Sequence, residues 1–237
     1  MDVRIAMWSG PRNLSTALMR SWGSRPDCHV VDEPFYAYYL SRTGVDHPGR
    51  DDVLAAQPTD WRDVAKILTT QPLPDEKTVL YQKHMTHHAL PEIDLSTMDG
   101  LRHGFLIREP AAVLRSYSKV RGRPSLDDLG FPQQLRLFER FGGPVVDADD
   151  LLRQPAMMLA QLCATLRVPF DPAMLSWAPG PRRTDGVWGR HWYDGVWGST
   201  GFAPPQPSTV DVPDELQPLV RLCRPYYETM AHHRLTV

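Results

Sequence analysis

The sequence predicts an α/β fold: a central, mostly parallel sheet with helices on both faces, forming one domain over residues 1–237. Three observations carry this. Short apolar runs of strand length alternate with helical patterns up to Trp177, and strands alternating with helices pair in parallel through helical crossovers. The 237 residues suit a single domain with a sizeable core. The only internal repeat, DGVWG at 185–189 and again at 194–198, is too short and too few for a solenoid.

The elements follow in order. Val3, Ile5, Met7 and Trp8 make a buried-strand run. Ser9-Gly10-Pro11-Arg12-Asn13 is a turn with a cation inside. Leu14, Ala17, Leu18 and Trp22 recur at helical spacing, with Ser15 and Thr16 where that helix begins. A second strand, CHVVD at 28–32, ends in Asp32-Glu33-Pro34, and a helix carrying Phe35, Tyr36, Tyr38, Tyr39 and Leu40 follows. Residues 43–58 are polar and Gly/Pro-marked, a loop or lid. Over 59–70, Trp61, Val64, Ala65 and Leu68 share a helix face. The third strand spans 78–83 and runs into His84-Met85-Thr86-His87-His88.

A fourth strand covers 102–108, and a helix over 110–120 opens on Pro110 with Val113, Tyr117 and Val120 on one side. Residues 125–141 are helical with a break near 130–132; Val145 and Val146 form a brief strand, and 147–152 a turn. A helix over 155–167 turns Leu159, Cys163 and Leu166 inward. Residues 178–210 form an irregular region rich in Gly, Pro, Trp and Arg, expected to be turns more than an aromatic flap, and 213–232 a closing helix.

The formal net charge of −2 gives no broad field for nucleic acid or membrane surfaces. Four of the 26 cations are lysines and the rest arginines, which favours forked contacts to anions. Cys28, Cys163 and Cys223 are widely spaced and odd in number, which points to reduced thiols and a cytoplasmic setting. No leader peptide or apolar run of membrane-spanning length is visible.

A strand, a tight loop and a helix N-terminus together hold an anion. The first helical amides lack intrahelical partners, and the macrodipole adds positive charge there. Arg12, Ser15 and Thr16 add a guanidinium fork and hydroxyls. The nucleotide loop G-x-x-x-x-G-K-[ST] is absent, which disfavours a plain ATPase. Asp32 and Glu33 stand at a strand's C-terminal edge, where open α/β sheets place their sites. In 105–120 a strand ending in Arg108 again leads into a helix, with Ser116 eight residues on.

These stretches resemble the sulfotransferases that use 3′-phosphoadenosine 5′-phosphosulfate (PAPS). SGPRNLSTALMRSW resembles their first motif, and Arg108, Ser116 and Tyr117 match the spacing of their second. KHMTHHALP resembles their base-histidine segment, with His84 preceding Leu90-Pro91, and 145–170 resembles a later strand, turn and helix. The resemblance implies a P-loop sulfotransferase-like fold. It implies sulfuryl transfer from PAPS, leaving 3′-phosphoadenosine 5′-phosphate (PAP), to a hydroxyl or amine of a small-molecule acceptor, with no metal required. Gly10, Pro11, Arg12, Asn13, Leu14, Ser15 and Thr16 would hold the 5′-phosphosulfate. Arg108 and Ser116 would hold the 3′-phosphate, with Arg182 and Arg183 standing in for a missing C-terminal G-x-x-G-x-x-K segment. His84 would be the base, with His87 and His88 as rivals, Arg12 and Lys83 would assist, and Glu33, Phe35 and Tyr36 would meet the acceptor. Arg12 replaces the usual loop Lys. Two alternatives stand beside this: a P-loop kinase using ATP and magnesium, and a nucleotide-binding protein without chemistry. Oligomeric state has no sequence signal.

Overall fold

The computed structural model describes residues 2–74, 76–119, 122–205 and 212–236. Five strands form one parallel sheet in the order β2-β3-β1-β4-β5: β1 (Val3–Ser9), β2 (Cys28–Asp32), β3 (Val79–Met85), β4 (Arg102–Ile107) and β5 (Val145–Asp147). The switch in strand order falls beside β1, so the crevice beyond its C-terminal end is where an open sheet holds a ligand.

Helices α1 (Ser15–Trp22), α2 (Tyr36–Thr43), α3 (Arg50–Ala56), α4 (Trp61–Thr70), α5 (Pro110–Ser118), α6 (Leu126–Leu129) and α7 (Phe131–Phe141) connect and cover the sheet. They are followed by α8 (Ala148–Arg153), α9 (Pro155–Thr165), two four-residue turns α10 (Gly189–Trp192) and α11 (Asp194–Trp197), and α12 (Gln217–Ala231). The layers are α/β/α. On one face Ile5, Met7, Val79 and Tyr81 pack with Leu18 and Trp22 of α1 and Met158, Leu159 and Leu162 of α9. On the other, Ala6, Trp8 and Phe105 pack with Val64 and Leu68 of α4, Leu137 of α7 and Met230 of α12. No helix among the described residues is long and apolar enough to cross a membrane.

Three expectations change. Residues 43–58 are not one loop: Gly49, at φ 74°, starts α3, and Val53 is its buried residue. The 147–152 turn is α8, capped by the Asp147 carboxylate accepting from the Asp149 amide. Within 178–205 the chain makes α10 and α11, while 206–210, like Val120, lies outside the described residues.

The second face carries buried imidazoles. Burial holds His84 down to about 3, and His103 down to about 4. Trp8 Nε1 donates to His103 Nδ1 at 3.0 Å, as a neutral ring requires. Both rings ionise near 6.5 once unfolded. The unfolded chain therefore binds more protons below that pH, and stability falls as pH drops from 6.5 toward 4. We expect a loss of about 1.4 kcal/mol per pH unit for each ring, measured by urea denaturation at pH 7, 6 and 5. A flat profile would mean that these rings are charged in the fold.

Candidate active site

The first wall of the site is the loop between β1 and α1. Arg12 and Leu14 have φ of 64° and 66°, left-handed values for residues with a Cβ. Each costs roughly 1–2 kcal/mol and persists only because the surroundings fix it. Asn13 does part of this, donating from Nδ2 to the Leu106 carbonyl of β4 at 3.3 Å. Gly10 does another part. A Cβ there would sit 2.5 Å from the Leu129 carbonyl, so only glycine lets α6 close over the loop. Gly10 and Asn13 thus shape the loop from behind, while Pro11, Arg12, Leu14, Ser15 and Thr16 line the cavity in front of it.

Arg108 is beside this loop. Its NH1 donates to the Arg12 carbonyl at 2.9 Å, and Arg12 Nε donates to Ser116 Oγ at 2.9 Å. The two strand–helix units therefore meet at one point. Burial and then the neighbouring Arg108 lower the Arg12 pKa; burial likewise lowers Arg108, whose Nε is buried with no partner. Neither guanidinium forms an ion pair among the described residues. Asp149, Asp147 and Glu109 act on Arg108 only from a distance, so two adjacent guanidinium groups without an ion pair, beside the start of α1, can hold an anion. Arg115 joins them on the same wall.

The opposite wall is carboxylate. Glu33, at φ 38°, follows β2, and its amide donates to the Lys83 carbonyl at 2.9 Å. Lys83 Nζ donates to Glu33 Oε1 at 2.5 Å, Asp32 Oδ1 at 2.9 Å and the Tyr193 hydroxyl at 2.8 Å. All three ammonium protons are used. Burial alone would lower the Lys83 pKa, but Asp32 and Glu33 more than reverse it, so it stays charged. Burial raises Glu33, and Lys83 only partly offsets this. Glu33 is thus a carboxylate with increased basicity, and its second oxygen makes no hydrogen bond among the described residues.

One cavity of about 710 Å³ joins the two walls, lined also by Tyr36, His47, His87, His88, Trp192 and Phe202. Among the described residues no group of three or more His, Cys, Asp or Glu side chains is arranged to hold a metal ion. The structure brings together Arg12, Ser15, Thr16, Arg108, Ser116, Glu33, Tyr36 and Lys83 around this space.

Six predicted residues do not line it: Gly10 and Asn13, which stand behind the loop, and four that lie elsewhere. His84 is a correction to the expected base. It is 1% exposed, on the β3 face opposite Lys83, stacked on Trp8 at 4.3 Å with Nε2 bonded to Gln82 Oε1. A ring that stays neutral down to about pH 3 and faces the second core cannot reach an acceptor. Phe35 packs on that same ring, at 5.7 Å, and not on the cavity. Arg182 and Arg183 are a further correction. The Arg182 guanidinium packs by Gly23, the C-cap of α1, about 12 Å of helix away from the loop, and Arg183 is exposed. Neither lines the cavity.

Sequence reasoning passed over Arg115, although 112, 115 and 116 share a helix face at i, i+3 and i+4. It gave Tyr193, with Trp188, Trp192 and Trp197, only the less favoured reading of an aromatic flap over a ligand, and no periodicity in 178–205 signals more. Tyr193 and Trp192 do line the cavity, whereas Trp188 is core, so this region is partly the aromatic wall that was the less favoured expectation.

Comparison with known proteins bears on the fold and the family. Two curated relatives, the branched-chain-amino-acid aminotransferase-like proteins 2 and 1 of Arabidopsis thaliana, are 36% and 37% identical over 234 residues, 97% of this chain. The chain spans only 41% and 42% of their lengths. The sulfotransferase domain of the Synechococcus PCC 7002 olefin synthase superposes with a TM-score of 0.62 at 17% identity, covering 97% of this chain and 94% of that one. A sulfotransferase from Alicyclobacillus acidocaldarius gives 0.57 at 14% identity, covering 99% and 98%. Both share the fold. The family model described as "Sulfotransferase domain" matches residues 3–234, nearly the whole chain, and the chain belongs to that family.

Proposed function

We propose that this chain transfers a sulfuryl group from PAPS to a hydroxyl or amine of a small acceptor, with Glu33 receiving the acceptor's proton. The observation that carries this is the pair of guanidinium groups without an ion pair, Arg12 and Arg108, joined through the Arg12 carbonyl just before α1. The orphaned, buried Arg108 Nε fits a phosphate-bearing ligand, since a buried cationic donor without a partner is costly.

When bound, PAPS supplies the sulfuryl group and leaves as PAP. Arg12, Ser15, Thr16 and the first amides of α1 bind the 5′ end and accommodate the charge that grows there. Arg108 and Ser116, with Arg115 nearby, hold the 3′-phosphate and fix the register of the nucleotide. On the facing wall, Glu33 takes the acceptor proton on its free oxygen, and its burial-raised pKa suits a general base. Lys83 spends its donors on Asp32, Glu33 and Tyr193, so it orients the base and is not free to grip the sulfuryl group. These residues need no metal to meet the charge.

Thermal shift with PAP, ATP and sulfate, each with and without magnesium, tests the reading. We expect stabilisation by PAP well above that by ATP, and independent of magnesium. A magnesium-dependent response to ATP equal to or above that of PAP would favour a kinase.

A further inference from the structure

The aromatic segment after Pro181 reaches the carboxylate wall through the Tyr193 hydroxyl and the Gly186 amide. Tyr193, 4% exposed, donates to Asp32 Oδ2 at 2.7 Å and accepts from Lys83 Nζ at 2.8 Å and from Trp188 Nε1 at 3.1 Å. Its distance to Glu33 Oε1 is 3.5 Å, so its single proton goes to Asp32. Asp32 Oδ2 also accepts from the Gly186 amide at 3.2 Å. The hydroxyl is therefore saturated, and so is the ammonium. A buried ion group of this kind is geometrically stiff, because every alternative arrangement leaves a donor unpaired.

We propose that Tyr193 is a positioning residue: its hydroxyl, with Asp32, fixes the Lys83 ammonium so that one Glu33 oxygen is held and the other is left free at the cavity wall. This rests on the sulfuryl-transfer reading, in which Glu33 is the base. Without the hydroxyl, Lys83 has one proton unpaired and swings toward the carboxylates, and the free Glu33 oxygen becomes its new partner. The DGVWG-bearing segment, which has no helical or strand periodicity, thus acts in the site through the Tyr193 hydroxyl and the Gly186 amide. The groups facing Glu33 are Asp32 on β2, Lys83 on β3 and Tyr193 from the segment, and Tyr36, His47 and His88 line the same cavity.

The test follows the Glu33 carboxyl directly, by ¹³C NMR titration of protein labelled at its seven glutamates, with Glu33→Gln assigning the signal. The Lys83 ammonium favours the Glu33 carboxylate and the Asp32 charge disfavours it. We expect both Tyr193→Phe, through the added Lys83 contact, and Asp32→Asn, through the lost negative charge, to move the Glu33 midpoint down, with PAP affinity by calorimetry within about twofold of wild type in both. Where Tyr193→Phe does not fold, Asp32→Asn carries the test alone. A Glu33 midpoint that stays at its wild-type value in the folded variants overturns the proposal. Absence of PAP binding in the wild type would overturn the sulfuryl-transfer reading instead, while the Glu33 titration remained readable.

Discussion

In Arg108→Ala the affinity for PAP falls by about 10- to 100-fold while the protein stays folded. A charge-assisted hydrogen bond to a ligand phosphate contributes roughly 1.5–3 kcal/mol, and about 1.4 kcal/mol is tenfold in affinity. Arg108 has a second role that makes the upper part of that range reasonable. Its NH1 holds the Arg12 carbonyl, and Arg12 sits in a left-handed conformation that relaxes when the restraint goes. Arg108→Lys should be intermediate: it keeps a charge and loses the fork that reaches two acceptors. Calorimetric titration of the three proteins with PAP checks this. Equal affinities would remove Arg108 from the nucleotide site.

Glu33→Gln is expected to lower the rate of PAP formation from PAPS and an acceptor by about 10²- to 10⁴-fold, the usual contribution of a positioned base. PAP affinity should stay within about twofold, because Glu33 bonds Lys83 and neither arginine. The amide keeps the size of the side chain and one acceptor for Lys83, so binding and chemistry separate cleanly. His84→Gln should do the reverse, altering stability through the Trp8 stack and leaving transfer intact. Transfer that survives Glu33→Gln and is lost in His84→Gln would restore the histidine as base.

The difference between those two residues shows where the sequence is legible. The five strands, their parallel sense and the first helix are readable from apolar runs and their spacing. So are Arg12, Arg108 and Ser116, because strand ends and helix starts are local features. The end of β3 is not. Ended at Lys83, the strand leaves His84 in a loop and free to turn; continued to Met85, it puts Lys83 and His84 on opposite faces by the two-residue period of a strand. Register confirms the consequence, pairing His84 with Trp8 on the face away from the cavity. Arg182 and Arg183 fail for another reason. Their segment is placed by Asp185, which pairs with Arg20 and accepts from Trp197 Nε1, contacts that no periodicity announces. Tyr193 is hidden in the same way, since its partner Asp32 is 161 positions away.

Under the proposed function, one cavity grips a nucleotide by phosphates at two places. Calorimetry of the wild type with PAP, adenosine 5′-phosphate and adenosine 3′-phosphate, repeated in Arg108→Ala, measures this most directly. PAP should bind at least tenfold more tightly than either monophosphate to the wild type, and should weaken to the level of the 5′-phosphate in the variant. Equal binding of PAP and adenosine 5′-phosphate by the wild type would contradict it.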